Sequence, residues 1–142
     1  MDRVERHPMK LELALYIVAA GQLGIAVLNL FLVRVLDWRA EVERMPLLVR
    51  EVFTVHAWFI SATLAIFGAI TLRFAGDFAA ASHEVFRWLA CGIGSFWAFR
   101  TVLQITYYSS SHWRGKTGRT ITHIVLLALY GGFAAAYLSA AF

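Results

Sequence analysis

Apolar residues along the chain fall into four long stretches separated by short polar segments. They run from about Leu11 to Leu36, Val52 to Ala75, Val85 to Tyr108 and Ile121 to Phe142. A helix needs about 20 mostly apolar residues to cross a bilayer, and each stretch is that long. Their spacing is helical, with no run of alternating ten-residue segments that would suggest a membrane barrel. No proline interrupts them: Pro8 precedes the first, and Pro46 stands where a helix can begin ahead of the second. The pattern predicts an all-α integral membrane protein, a four-transmembrane-helix up-down-up-down bundle in a single membrane domain over residues 1–142.

The connections set which ends share a side. Segment 37–51 (DWRAEVERMPLLVRE) is mixed in charge, 76–84 (GDFAAASHE) is brief, and 109–120 (SSSHWRGKTGRT) is basic. Short connections make neighbouring helices antiparallel, so both termini and the 76–84 loop are expected on one side. The 37–51 and 109–120 loops then lie on the other. That loop side carries seven basic residues (Arg34, Arg39, Arg44, Arg50, Arg114, Lys116 and Arg119). The terminal side carries five (Arg3, Arg6, Lys10, Arg73 and Arg87). Positive residues stay cytoplasmic, and the difference of two favours both termini outside. Trp38 and Trp113 mark one interface and Trp88 the other. The first run is too long for a cleavable signal peptide, and no A-x-A-like site follows it.

Composition supports the membrane reading and removes several function classes. Of the 142 residues, 60% are apolar and only 15% charged, whereas soluble domains carry about 25% charged residues. The net charge of +4 comes from basic residues that flank apolar runs. Such flanks suit a membrane surface better than a nucleic-acid backbone. Cys91 is the single cysteine, so a disulfide within the chain, a CxxC redox pair and a cysteine-rich zinc site are all excluded. Between Ala90 and Gly92 it reads as a small packing residue.

Each predicted span carries one polar seam. The first offers Gln22 and Asn29; the second opens with Glu51 and His56 and continues to Thr63. The third carries Arg100, Gln104, Tyr107 and Tyr108, and the fourth Thr122, His123, Tyr130 and Tyr137. Spacings of four and seven keep each set on one helix face. In an up-down bundle the richest part of every seam falls in the same half of the bilayer. With a rise of ~1.5 Å per residue, His56, Gln104 and His123 sit roughly 4–8 Å inside that edge and Arg100 roughly 12 Å. The candidate ligand-binding set is therefore Arg100, Gln104, Tyr107, Tyr108, His56, His123, Glu51 and Asn29.

Arg100 is the strongest single signal, because an arginine at that depth costs about 2.5–3.5 kcal/mol to insert and needs a partner, cavity or ligand. One reading is a structural ion pair with Glu51. Another is a fork that holds a lipid phosphate, a quinone carbonyl or a haem propionate; a contact with a neighbouring subunit is a third. His56 and His123, at similar depth on the second and fourth helices, have the arrangement that ligates a haem b axially in membrane cytochromes, in general geometry alone. The plainer alternative is a pair of interfacial histidines hydrogen-bonded within the seams. His7, His83 and His112 lie in the tail and loops.

No other chemistry is well supplied. Zinc needs three or four good ligands, and here two histidines and one carboxylate converge, so no metal site beyond haem ligation is expected. Nucleophile-elbow, P-loop and dinucleotide motifs are absent. Gly92, Gly94, Gly131 and Gly132 read as close helix-packing points, as do Ala19, Ala20, Gly21 and Gly24 on the first helix. Phe96, Trp97 and Phe99 beside Arg100 either clasp a flat ring or fill space. The leading expectation is a small binding or accessory protein whose polar half-site takes a lipid headgroup, quinone or similar amphiphile, alone or as an accessory subunit of a membrane complex. The alternatives are a haem b electron carrier, an enzyme with Glu51 or His56 as general base and Arg100 stabilising negative charge, and a homo-oligomeric or structural subunit with nothing bound. The absence of catalytic motifs tilts the balance away from an enzyme.

Overall fold

The computed structural model describes residues 3–107 and 117–142, leaving aside the side chains of 3–8 and 117–119. It is all-helical, and among the described residues there is no strand. The helices are α1 (Arg3–Leu30), α2 (Leu32–Val35), α3 (Arg39–Glu43), α4 (Leu47–Ala79), α5 (Glu84–Thr106) and α6 (Thr117–Ala141). Three of them hold segments long and apolar enough to cross a membrane: Met9–Leu30, Leu47–Ala79 and Thr120–Ala141. The third expected span coincides with α5, which is helical throughout but is not among the three. Glu84, Arg87, Arg100 and Gln104 dilute its apolar character.

The surface is the inverse of a soluble protein's. Leu13, Ile17, Val55, Trp58 and Phe59 are among the large apolar side chains that face outward, Phe59 with 72% of its area exposed. Gln22, Ser61, Thr71 and Gln104 are buried. Apolar area this extensive has no place in water, whereas lipid accepts it and drives polar groups inward to find partners. Hydroxyls that remain along the helices bond to the carbonyl one turn back: Thr54 to Arg50, Ser61 to Ala57, Thr63 to Phe59, Thr101 to Trp97 and Thr106 to Val102. This local bond removes an unsatisfied donor without a neighbour's help.

Helix ends are closed by two motifs that the composition does not advertise. At the end of α2, Trp38 N–H bonds to Val33 O and Asp37 N–H to Arg34 O, with Asp37 at φ 54°. At the end of α4, Ser82 N–H bonds to Asp77 O and Ala81 N–H to Phe78 O, with Ala81 at φ 45°. Both are Schellman caps, which use a left-handed residue to turn the chain back over the last carbonyls. The second, with the Ser82 hydroxyl donating to the Asp77 carboxylate at 3.0 Å, shortens the expected 76–84 loop. Within α4, Phe74 (φ −122°, ψ 26°) interrupts the helical geometry.

The chain divides into two compact units, one of residues 19–73 and one of Met1–Val18 with Phe74–Phe142. In the 19–73 unit, α1 and α4 run antiparallel and meet closely at Gly68. A Cβ there would stand 2.9 Å from Leu23 Cγ and 3.1 Å from Ala19 O. Asn29 bonds across the same pair further along, to Ala57 O and Ser61 Oγ, each at 2.9 Å. In the other unit, α5 packs along α6, with Arg87 against Ala141, Gly94 against Leu138, Trp97 against Tyr130 and Gln104 against His123. One number rises as the other falls, so this pair is antiparallel as well. At its far end Phe78, fully buried, meets Phe86 and Tyr137 edge-on at 5.4 and 6.3 Å, and Phe74 lies 5.6 Å from Phe86. Gly24, Gly92, Gly131 and Gly132, expected as packing points, face open space. Gly94 is pressed by a neighbour, because it sits on the α5 face buried with Ala90, Ile93 and Trp97, and Ala19, fully buried, is the α1 side of the close approach at Gly68.

Candidate functional site

The buried face of α5 holds Ala90, Ile93, Gly94, Trp97 and Gln104. That spacing of three, four and seven residues makes one stripe, and Arg100 lies a turn before Gln104 on the same side. Trp97, 1% exposed, stacks on Tyr130 (centroids 5.3 Å apart, planes at 26°) and meets Phe133 at 4.9 Å and Phe96 at 5.5 Å nearly edge-on. The Arg100 guanidinium carbon stands 4.8 Å from the centroid of the Tyr130 ring. A cation over an aromatic face at this distance gains about 0.5–2 kcal/mol, more where water is excluded. Of the three aromatics flanking Arg100 in sequence, Trp97 is core, Phe96 half-buried and Phe99 exposed.

One turn beyond Arg100, Gln104 is 2% exposed, and its Nε2 lies 2.9 Å from His123 Nδ1. With the amide donating, Nδ1 is the acceptor and the ring proton sits on Nε2. Gln104 Oε1 is buried and has no hydrogen-bond partner among the described residues. Arg100, Gln104, His123 and Tyr130 thus form one polar and aromatic cluster on the α5–α6 pair.

Elsewhere the expected site residues take other roles. Asn29 donates its amide protons to Ala57 O and Ser61 Oγ and so clasps α1 to α4. Glu51 and His56 are exposed on α4. Glu51 lines a shallow depression with Val42, Leu47, Arg50, Thr54 and Val55. Tyr107 caps α5 and is 82% exposed, while Tyr108 lies outside the described residues, as do the 109–116 loop with His112 and Trp113. Sequence reasoning missed Ser61 as Asn29's partner, although its step of four from Ala57 and placement inside an apolar span were visible signals. It also left Tyr130 as a seam residue without connecting it to Arg100.

Fold and cluster together define an all-helical protein with, among the described residues, three helices able to cross a membrane and a buried polar cluster beside one of them. No family model, curated protein or solved structure matches the chain.

Proposed function

We propose that the protein is a four-span, up-down membrane bundle that binds the head of a lipid-soluble amphiphile at the Arg100–Gln104–His123–Tyr130 cluster. The observation that carries this reading is the buried Gln104 carbonyl with no partner among the described residues, one turn from an arginine. An amide held in a helical hairpin only to seal it would be expected to have both ends bonded. Arg100 supplies the positive fork that suits a phosphate or carbonyl oxygen, and the Tyr130 ring holds that fork in place. Absence of a catalytic motif favours a binding or accessory role, alone or beside a larger membrane complex. In this reading α5 crosses with α6 as a hairpin, both termini share a side, and Trp38 and Trp88, both exposed, lie at opposite interfaces.

The haem alternative has less support: it asks His56, exposed on α4, to serve as an axial ligand. The deciding experiment is native mass spectrometry of protein extracted gently from its own membrane, beside an absorption spectrum of the same sample. We expect a colourless stoichiometric adduct of lipid or quinone size, retained by wild type and lost in Arg100→Leu while the variant stays inserted. A clean apo mass for wild type overturns the proposal, and a Soret band replaces it with the haem reading.

A further inference from the structure

Gln104 is bonded at one end only. Its Nε2 reaches His123 Nδ1 at 2.9 Å, while Oε1 is buried and has no partner among the described residues. Buried carbonyls without a donor are rare in folded proteins and are especially unfavourable where the surrounding solvent is lipid. Turning the amide over does not remove the deficit. Oε1 would then accept from a proton on Nδ1, and the NH2 group would face the place that Oε1 faces now. With Nε2 toward His123 Nδ1, the atom offered to that place is the Oε1 acceptor, and an acceptor selects a donor.

The neighbour on the same strip sets the second requirement. Arg100 precedes Gln104 by four residues, a rise of ~6 Å along the helix. Its guanidinium carbon lies 4.8 Å from the centroid of the Tyr130 ring, and a guanidinium in cation–π contact still has N–H bonds to donate in its own plane.

We infer that the site takes an amphiphile with a hydroxyl on its head, the O–H donating to Gln104 Oε1 and a second head oxygen about one helical turn away accepting from Arg100. This rests on the binding reading above and narrows it to a chemistry. Two membrane sources have that pair of oxygens: the glycerol headgroup of an anionic phospholipid, and the reduced, hydroquinone form of a lipid-soluble quinone. The oxidised quinone has acceptors only and fails the first requirement.

The test titrates the full-length protein in detergent with two matched pairs, read by native mass spectrometry. One pair is phosphatidylglycerol and phosphatidylmethanol, of equal charge, only the first with headgroup hydroxyls. The other is a decyl-substituted hydroquinone and its quinone. In one pair the hydroxyl-bearing member should bind about tenfold more tightly, the size of one charge-neutral hydrogen bond to an otherwise unpaired buried group. The pair that responds identifies the source. In Gln104→Met the preference within the responding pair should fall to twofold or less. Equal affinity within both pairs for wild type, or a preference that survives in Gln104→Met, overturns the inference. If Gln104→Met does not fold, the wild-type pairs alone decide. Should both members of a pair bind equally and both be lost in Arg100→Leu, the binding site stands and the hydroxyl rule falls. Should no member of either pair bind, both fall.

Discussion

Asn29 shows how one side chain fastens two helices where water is scarce. Its amide meets Ala57 O and Ser61 Oγ, and the Ser61 hydroxyl itself donates to Ala57 O at 2.9 Å. Three polar groups share one spot and leave no donor among them idle. Interhelical hydrogen bonds in membrane proteins contribute about 0.6 kcal/mol on average and up to about 1.7. We expect Asn29→Leu to destabilise by about 1 kcal/mol and Ser61→Ala by less. A double-mutant cycle in bilayers should give a coupling near 0.6 kcal/mol; a coupling of zero would mean that each residue acts alone. Asn29 was legible as a polar residue inside a long apolar run, but its partner was not. The sequence places Gln22 on its own helix face, and only the antiparallel register of α1 against α4 brings Ser61 under it. Arg100 is the parallel case. Its depth announced a need for a partner, and the Tyr130 ring that meets it is 30 positions away on α6. Helical periodicity ranks Tyr130 no higher than Tyr137, which packs against Phe78 instead.

At the level of the helix, glycine separates two roles that look alike in one dimension. Gly68 and Gly94 lie under neighbouring backbone: a Cβ at Gly94 would come 3.2 Å from Leu138 N and 2.9 Å from Leu138 Cδ2. The leucine tip can swing aside, but the backbone nitrogen moves only if α5 and α6 part. Gly94→Ala should therefore destabilise by roughly 1–3 kcal/mol, the usual range for overpacking, and Gly68→Ala likewise. Gly92→Ala and Gly132→Ala, which meet open space, should be neutral or stabilise by up to about 1 kcal/mol through helix propensity. Unfolding of the four variants in one detergent would check the split. The helix ends supply the opposite kind of site, where glycine is absent and would help. Ala81, at φ 45° in the cap of α4, carries a Cβ in a conformation that costs about 1–2 kcal/mol for an L-residue. Ala81→Gly should raise stability by about 1 kcal/mol, after allowing for glycine's extra freedom in the unfolded chain; a loss of stability would count against the cap. Helix positions were readable from the apolar runs, because lipid permits few alternatives to a helix. Cap geometry was not, since neither Asp37 nor Ala81 is the glycine that usually signals it.

For the whole molecule, α5 decides between three helices able to cross a membrane and the four of the proposed bundle. Alone, α5 is a poor span: Arg100 and Gln104 would each meet lipid. Paired with α6 it is a better one, because Gln104 meets His123, Arg100 meets Tyr130, and Ala90, Ile93 and Trp97 are buried. Polar groups that find partners within a hairpin no longer have to be dissolved in hydrocarbon. On the proposed reading α5 and α6 enter together, and the number of crossings is even. Three crossings and four differ in one measurable place. If α1, α4, α5 and α6 all cross, the two ends of the chain share a side with Ser82, and Arg44 faces the other. If α5 lies on the surface, the C-terminal end moves to the side of Arg44. Single cysteines placed beyond Phe142 and at positions 2, 44 and 82, in a chain with Cys91 replaced by Ala, can be labelled with a membrane-impermeant maleimide from each side. We expect position 82 and both ends to be labelled from one side and position 44 from the other. A C-terminal cysteine that reacts from the same side as position 44 would leave α5 outside the bilayer. The cluster would then lie at the level of the headgroups, where a water can reach and satisfy the Gln104 carbonyl, and the case for a lipid-soluble ligand there loses its basis.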